Sequence, residues 1–177
     1  MTWQQQKTKQ VYKNRFMTVT EDEVVTDHGA TLTFGIVHKE PAVYIIPWDG
    51  EKVTLVGQYR YAINSFSWEI PAGHMEHKNV EETAKVELRE ETGLSAEDNV
   101  EIGTFYVAPG HHTQMAHVFL ATGLRKGSKS LEIAEQGMTT KEVTLAELDK
   151  MIMENEMKDG PTIASLKIFE LYLKHKK

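Results

Sequence analysis

What the 177-residue chain lacks narrows its chemistry first. It has no cysteine, which excludes disulfides, thiolate metal sites and a cysteine nucleophile. No apolar run approaches the ~20 residues of a membrane-spanning helix, and the polar start Met1, Thr2, Trp3, Gln4 carries no signal-peptide core. A cytoplasmic location and no membrane partner are therefore the default expectations. Positive charge is in deficit: 20 basic against 26 acidic side chains leave a formal charge of −6. A broad phosphate-binding surface, and with it a nucleic-acid partner, is not expected. No repeat or low-complexity segment occurs. The remaining composition, 40% hydrophobic and 26% charged, is ordinary for a globular chain long enough to bury a core.

The chemistry concentrates between Trp68 and Leu94. Val80, Ala84 and Leu88 recur every four residues, lining one face of a helix over residues 79–92 that can pack on a sheet. Glu87 and Glu91 lie one turn apart and Glu90 three residues after Glu87, so the three carboxylates are expected to project toward one region. Each like-charged pair on a helix costs roughly 0.2–0.5 kcal/mol, which a hard divalent cation with oxygen ligands would more than offset. Gly93 follows as a left-handed cap. Pro71, Ala72 and Gly73 break the strand before the helix, and their carbonyls can offer a metal a further oxygen. Taken alone, an E-x-x-E-E run is the usual solvated face of a helix; the residues around it point further.

Behind Trp68, Glu69, Ile70, Pro71, Ala72 and Gly73, the run Glu87 to Leu94 resembles the Nudix hydrolases, whose box reads G-x5-E-x7-R-E-U-x-E-E-x-G-U with U a bulky aliphatic. Every fixed position from Glu87 to Leu94 is met. Counting back from Gly93 places Ala72 at the first glycine, Lys78 at the earlier glutamate and Val86 at the arginine. With a loop one residue shorter, Gly73 and Asn79 take the first two places. The likeness covers most of residues 40–155. To the ADP-ribose and nucleotide-sugar branch it extends more faintly to the N-terminus.

That resemblance implies an α/β (α+β) Nudix fold: an α/β/α sandwich with mixed sheets and a small N-terminal antiparallel β subdomain. Residues 1–38 would form that subdomain, serving dimerisation and base contacts, and 39–177 the hydrolase domain. It implies Mg²⁺, with Mn²⁺ as substitute, on Glu87, Glu91 and the Ala72 carbonyl. Glu90 would complete the shell or orient a water. Glu135, with Glu132 in reserve, would activate the water. Arg60, in the triplet Gln58, Tyr59, Arg60, would hold a substrate phosphate, with Glu69 grouped among the substrate contacts. Arg15 or Phe16 would meet the nucleotide base across a homodimer. The implied reaction splits a nucleoside diphosphate sugar into a nucleoside monophosphate and a sugar phosphate. The alternative from another class is a non-catalytic domain that senses a nucleotide sugar, suggested by Val86 and by Gln114 where the family carries glutamate. Removal of an RNA 5′ end group is disfavoured by the acidic balance.

For the rest of the chain, alternation predicts strands within residues 5–20, at 31–38, and at 42–48 and 52–61 as a hairpin about Asp49 and Gly50. Two more follow at 99–107 and 115–123, with His111 and His112 read as loop residues. Residues 124–138 read as a loop able to close over a site. Thr144 is expected to cap a helix over 145–156, stopped by Asp159, Gly160 and Pro161, and a last helix covers 162–174.

Overall fold

The computed structural model describes residues 2–75, 79–131 and 136–176, and the chain divides into two compact units. The first comprises Met1–Pro41 and Phe105–Met115. It carries an antiparallel sheet of β1 (Gln4–Lys13), β2 (Thr18–Val25) and β3 (Thr31–His38), in that order. The β-branched and alternating residues that predict these strands form them. A three-stranded sheet buries little by itself, and all ten residues of β1 are exposed. Asp22 on β2 is buried and accepts from the Thr8 hydroxyl at 2.5 Å and the Gln5 amide at 2.9 Å. The segment 105–115 joins β3 through Val37, whose amide donates to the His111 carbonyl and whose carbonyl accepts from Thr113. Gln114 is buried and donates to the Glu40 carbonyl at 2.9 Å, so here it braces the backbone.

The second unit comprises Ala42–Thr104 and Ala116–Lys177. Its mixed sheet has the order β7 (Ala72–His74), β4 (Ala42–Pro47), β10 (Met115–Thr122), β9 (Asp98–Tyr106), with β4 and β10 parallel. Alternation along β4 sends Val43 and Ile45 to one face and Tyr44 and Ile46 to the other. On the first face α1 (Val80–Thr92) lays Ala84 and Leu88 against Val43, Ile45, Phe119 and Ala121. The larger of these side chains, Leu88, Val43, Ile45 and Phe119, each contribute about 1.5–3 kcal/mol by burial. On the other face α3 (Gly160–His175) packs, with Phe169 edge-on to Trp48 at 5.3 Å. A second, antiparallel sheet has the order β12 (Thr139–Thr144), β5 (Lys52–Arg60), β6 (Ser65–Glu69). A short pair joins β8 (Leu94–Ser95) to β11 (Arg125–Lys126). The helix α2 (Leu145–Met153) opens on Thr144 with both halves of a capping box, Thr144 and Glu147, in place. The α/β/α fold class read from the sequence holds. No helix among the described residues is long and apolar enough to cross a membrane.

Three local expectations are corrected. Asp49 and Gly50 turn the chain without starting a two-stranded ladder: β4 and β5 lie in different sheets, and the Trp48–Val53 bridge and the Asp49 amide on the Lys52 carbonyl at 3.2 Å close the turn between them. The Asp49 carboxylate, accepting from the Glu51 and Lys52 amides, makes a tight turn that redirects the chain. Residues 139–144, left without regular structure before Thr144, are the strand β12, paired along β5 from Thr139–Gly57 to Thr144–Lys52. The triplet Asp159, Gly160, Pro161 starts α3 instead of stopping α2, with Asp159 as N-cap accepting from the Thr162 amide and Pro161 in the first turn.

Candidate active site

The acidic helix begins where its sequence says. Asn79 caps α1, its side chain accepting from the Glu82 amide, and Gly93 ends it at φ 74°, a left-handed cap that a Cβ would strain. Asn79, one of the two residues open to the place of the earlier box glutamate, is thus occupied as a cap. The other, Lys78, lies outside the described residues.

The helix sets its carboxylates against β7. Glu91 is only 2% exposed and accepts the Ala72 amide at 3.0 Å. Glu87 comes so close to the same strand that a Cβ built on Gly73 would overlap its carboxylate. Gly73 is therefore the glycine whose missing side chain makes room for the box, which decides between the two registers. Glu90 lies about 60° around the helix from Glu87 and about 100° from Glu91, and among the described residues no three Asp, Glu or His side chains gather as a ready-made ligand cluster. Glu90 is half-buried, and its carbonyl accepts the Ser130 amide. Glu87, Glu91 and a peptide carbonyl of the 71–73 turn are all-oxygen donors, the set a hard divalent cation takes. The cradle at Gly73 brings two of them onto one strand, so the residues fit such an ion.

Beside them stands a second charged group. The Arg60 Nε donates to one Glu69 carboxylate oxygen at 2.9 Å and its Nη2 to the other, a two-pronged pair. Glu69 is buried, while the Arg60 side chain is 45% exposed. The pair uses two of the five donors of the guanidinium. The Glu69 hydrogen bond holds Arg60 charged above its ordinary range, and Glu91 and Asp159 add to this. Burial pushes the Asp159 carboxyl up. Burial, then Asp159 and Glu69, also raise the Tyr44 phenol. Thus Arg60, Glu69, Glu91, Asp159 and Tyr44 share one electrostatic neighbourhood.

The four elements β5, β6, β7 and α1 bring together Arg60, Glu69, Ala72, Glu87 and Glu91. Glu135 and its reserve Glu132 lie outside the described residues. Arg15 and Phe16 belong to the first unit, in the turn between β1 and β2. There the Asn14 side chain accepts from the Phe16 and Met17 amides, and the Arg15 guanidinium lies 4.3 Å over the Phe16 ring. Sequence reasoning missed Tyr44 and Asp159. The signal for Asp159 was present as an acid two residues before a proline, the mark of a helix start.

Residues 38–165 match the NUDIX domain and residues 3–37 the nucleoside diphosphate sugar hydrolase N-terminal domain. The chain is 32% identical over 175 residues to a methanol dehydrogenase activator of Bacillus methanolicus, covering 96% of this chain and 95% of that one. It is 30% identical to an ADP-ribose pyrophosphatase of Bacillus subtilis, covering 92% and 90%, and 32% identical to one of Mycobacterium tuberculosis, covering 82% and 72%. A crystal structure of an ADP compounds hydrolase superposes with TM-score 0.87 at 18% identity, over 99% of this chain and 96% of that one, a likeness of fold. With its box helix seated on β7 and the NUDIX match running through both sheets, the chain belongs to the Nudix family.

Proposed function

We propose that this protein hydrolyses the pyrophosphate bond of a nucleoside diphosphate sugar, ADP-ribose first among them, to a nucleoside monophosphate and a sugar phosphate. The observation that carries the reading is the seating of Glu87 and Glu91 on one strand, the first in the space left by Gly73 and the second on the Ala72 amide. The names of the Bacillus subtilis and Mycobacterium tuberculosis relatives support the substrate.

A diphosphate resists attack because its negative oxygens repel a nucleophile. Glu87, Glu91 and the Ala72 carbonyl would hold Mg²⁺, or Mn²⁺ in its place, which supplies the positive charge that offsets this repulsion and activates water. The Ala72 amide, donating to its carboxylate, aims Glu91. Arg60, oriented by Glu69, turns its remaining donors to a substrate phosphate, a bidentate fit that lysine lacks. Glu90 orients the attacking water and Glu135 takes its proton. Water adds to one phosphorus, the bridging P–O bond breaks, and the second phosphate leaves.

Residues 1–38 serve as a dimerisation and base-contact subdomain, in this reading, with Arg15 or Phe16 of a second copy near the base. The exposure of β1 along its whole length, with Val11, Tyr12 and Phe16 each about half-exposed, supports a second copy as its cover.

Incubation with Mg²⁺ and ADP-ribose, GDP-mannose, UDP-glucose or dinucleoside polyphosphates, followed by a phosphatase, tests the reaction. Phosphate released from ADP-ribose only after both steps is the expected result. Nucleotide-sugar binding without release would favour the sensing alternative, which rests on Val86 at the arginine position and on Gln114 where the family carries glutamate.

A further inference from the structure

The turn that joins β6 to β7 carries both halves of the site, and each of its residues is pinned by a different element. Glu69 holds Arg60 of β5. The Pro71 carbonyl accepts the Ile45 amide of β4 at 2.8 Å. The Ala72 amide donates to Glu91 of α1. Ile70, fully buried between them, lies beyond the β5–β6 ladder, which ends at the Val56–Glu69 pair. Its amide donates to the Thr162 hydroxyl of α3 at 3.1 Å. Thr162 is fully buried, and its own amide is fixed by the Asp159 carboxylate at 2.8 Å.

We propose that Thr162 is a positioning residue for the site: by holding the Ile70 amide it sets where Glu69 presents Arg60 and where Ala72 meets Glu91. The inference deepens the proposed hydrolase reading and rests on it for its kinetic arm. A buried amide must find an acceptor, and β6 and β7 offer Ile70 none through their ladders. Were Thr162 unable to accept, the turn would shift to bring that amide to another partner. Glu69 and Ala72, one and two residues away, would shift with it. Only an acceptor is required, so serine satisfies the requirement and valine, of the same shape, does not.

Ser165 supplies the control. It is as fully buried as Thr162 and lies one turn further along α3, but its hydroxyl donates to the Pro161 carbonyl within the helix and leaves the turn untouched. Thr162→Val, Thr162→Ser and Ser165→Ala are compared in the full chain, with Thr162→Ala repeating the first should valine not be accommodated. Two quantities are read: kcat and KM for ADP-ribose with Mg²⁺, and the Nε–H nuclear magnetic resonance signal of Arg60. Thr162→Val should lower kcat about tenfold or more, since small misplacements of a site cost that much. KM should move by less than about threefold, the mark of an interaction lost chiefly in the transition state. The Arg60 signal should shift or broaden. Thr162→Ser should restore both, and Ser165→Ala should leave both unchanged even at an equal loss of Tm. If Thr162→Val and Ser165→Ala behave alike in kcat and in the Arg60 signal, the inference is overturned. If the unaltered protein turns over no nucleotide sugar, the proposed reaction fails, and the Arg60 signal alone decides this inference: unchanged in Thr162→Val against it, displaced for it.

Discussion

The Ala72 amide donates to the buried Glu91 carboxylate at 3.0 Å, which ties the strand after the turn to the last turn of the acidic helix. A carboxylate buried this deeply persists only where donors or positive charge compensate it. Arg60, raised in part by Glu91, supplies some of that charge. Glu91→Gln keeps the shape and a hydrogen-bond acceptor for Ala72 but removes the charge. It should fold, with a circular dichroism spectrum like that of the parent, and lose turnover by about a hundredfold or more, as expected when a charge serving the transition state is removed. Activity above about a tenth of the parent's would refute the role given to Glu91.

Gly73→Ala places a methyl where the Glu87 carboxylate lies. Turnover should fall by about a hundredfold, since a displacement on the order of 1 Å in a site costs that much. Gly35→Ala on β3 is the comparison, because a Cβ there meets nothing within 4 Å. Steady-state kinetics of the two variants should separate them, and equal activities would contradict the cradle.

Arg60→Met leaves the buried Glu69 without its guanidinium. The cost should be about 1–3 kcal/mol in urea unfolding, below that of a fully buried pair because the Arg60 side chain is 45% exposed. Adding Glu69→Leu should recover part of it, since removing both charges spares the desolvation of the one left behind. A double variant less stable than Arg60→Met alone would speak against the pair as drawn.

Acid should act on the N-terminal sheet through Asp22. The Thr8 hydrogen bond, followed by those of Thr20 and Gln5, holds its pKa below 3.8 in the folded chain. A group whose folded pKa is depressed stabilises above its unfolded value and loses that contribution as the pH falls through the folded one. Amide hydrogen exchange in β1 and β2 should therefore keep its protection above pH 3.8 and lose it below. In Asp22→Asn, protection should be lower at neutral pH and insensitive to this range.

Sedimentation equilibrium should give twice the 20.1 kDa of the chain. Tyr12→Asp, on the exposed strand β1, should shift it toward the single-chain mass. A single-chain mass for the unaltered protein at micromolar concentration would contradict the dimer.

The box was legible because its residues are contiguous and one helix displays them, with Glu87 and Glu91 on one side and Gly93 as stop; the capping by Asn79 was not read. The place of Gly73 was not, since counting along the pattern allowed Ala72 equally and only the approach of Glu87 separates them. Asp49 and Gly50 announced a turn correctly, but a turn does not say whether the next strand returns to the same sheet. β12 escaped notice because, of its six residues, only Val143 is buried, so the alternation that marks a strand is nearly silent. Asp159 and Thr162 come to the site through α3, more than 60 residues after Glu91 in the sequence, where no local pattern links them.

The central claim is that Glu87, Glu91 and the turn beside them grip divalent ions against a diphosphate. Crystals grown with Mn²⁺ and a non-hydrolysable ADP-ribose analogue test it most directly by anomalous scattering. Peaks within about 2.0–2.6 Å of the Glu87 and Glu91 carboxylates and the Ala72 carbonyl, bridging to analogue phosphate, are the result expected. Analogue bound with no anomalous peak beside either glutamate would contradict the account.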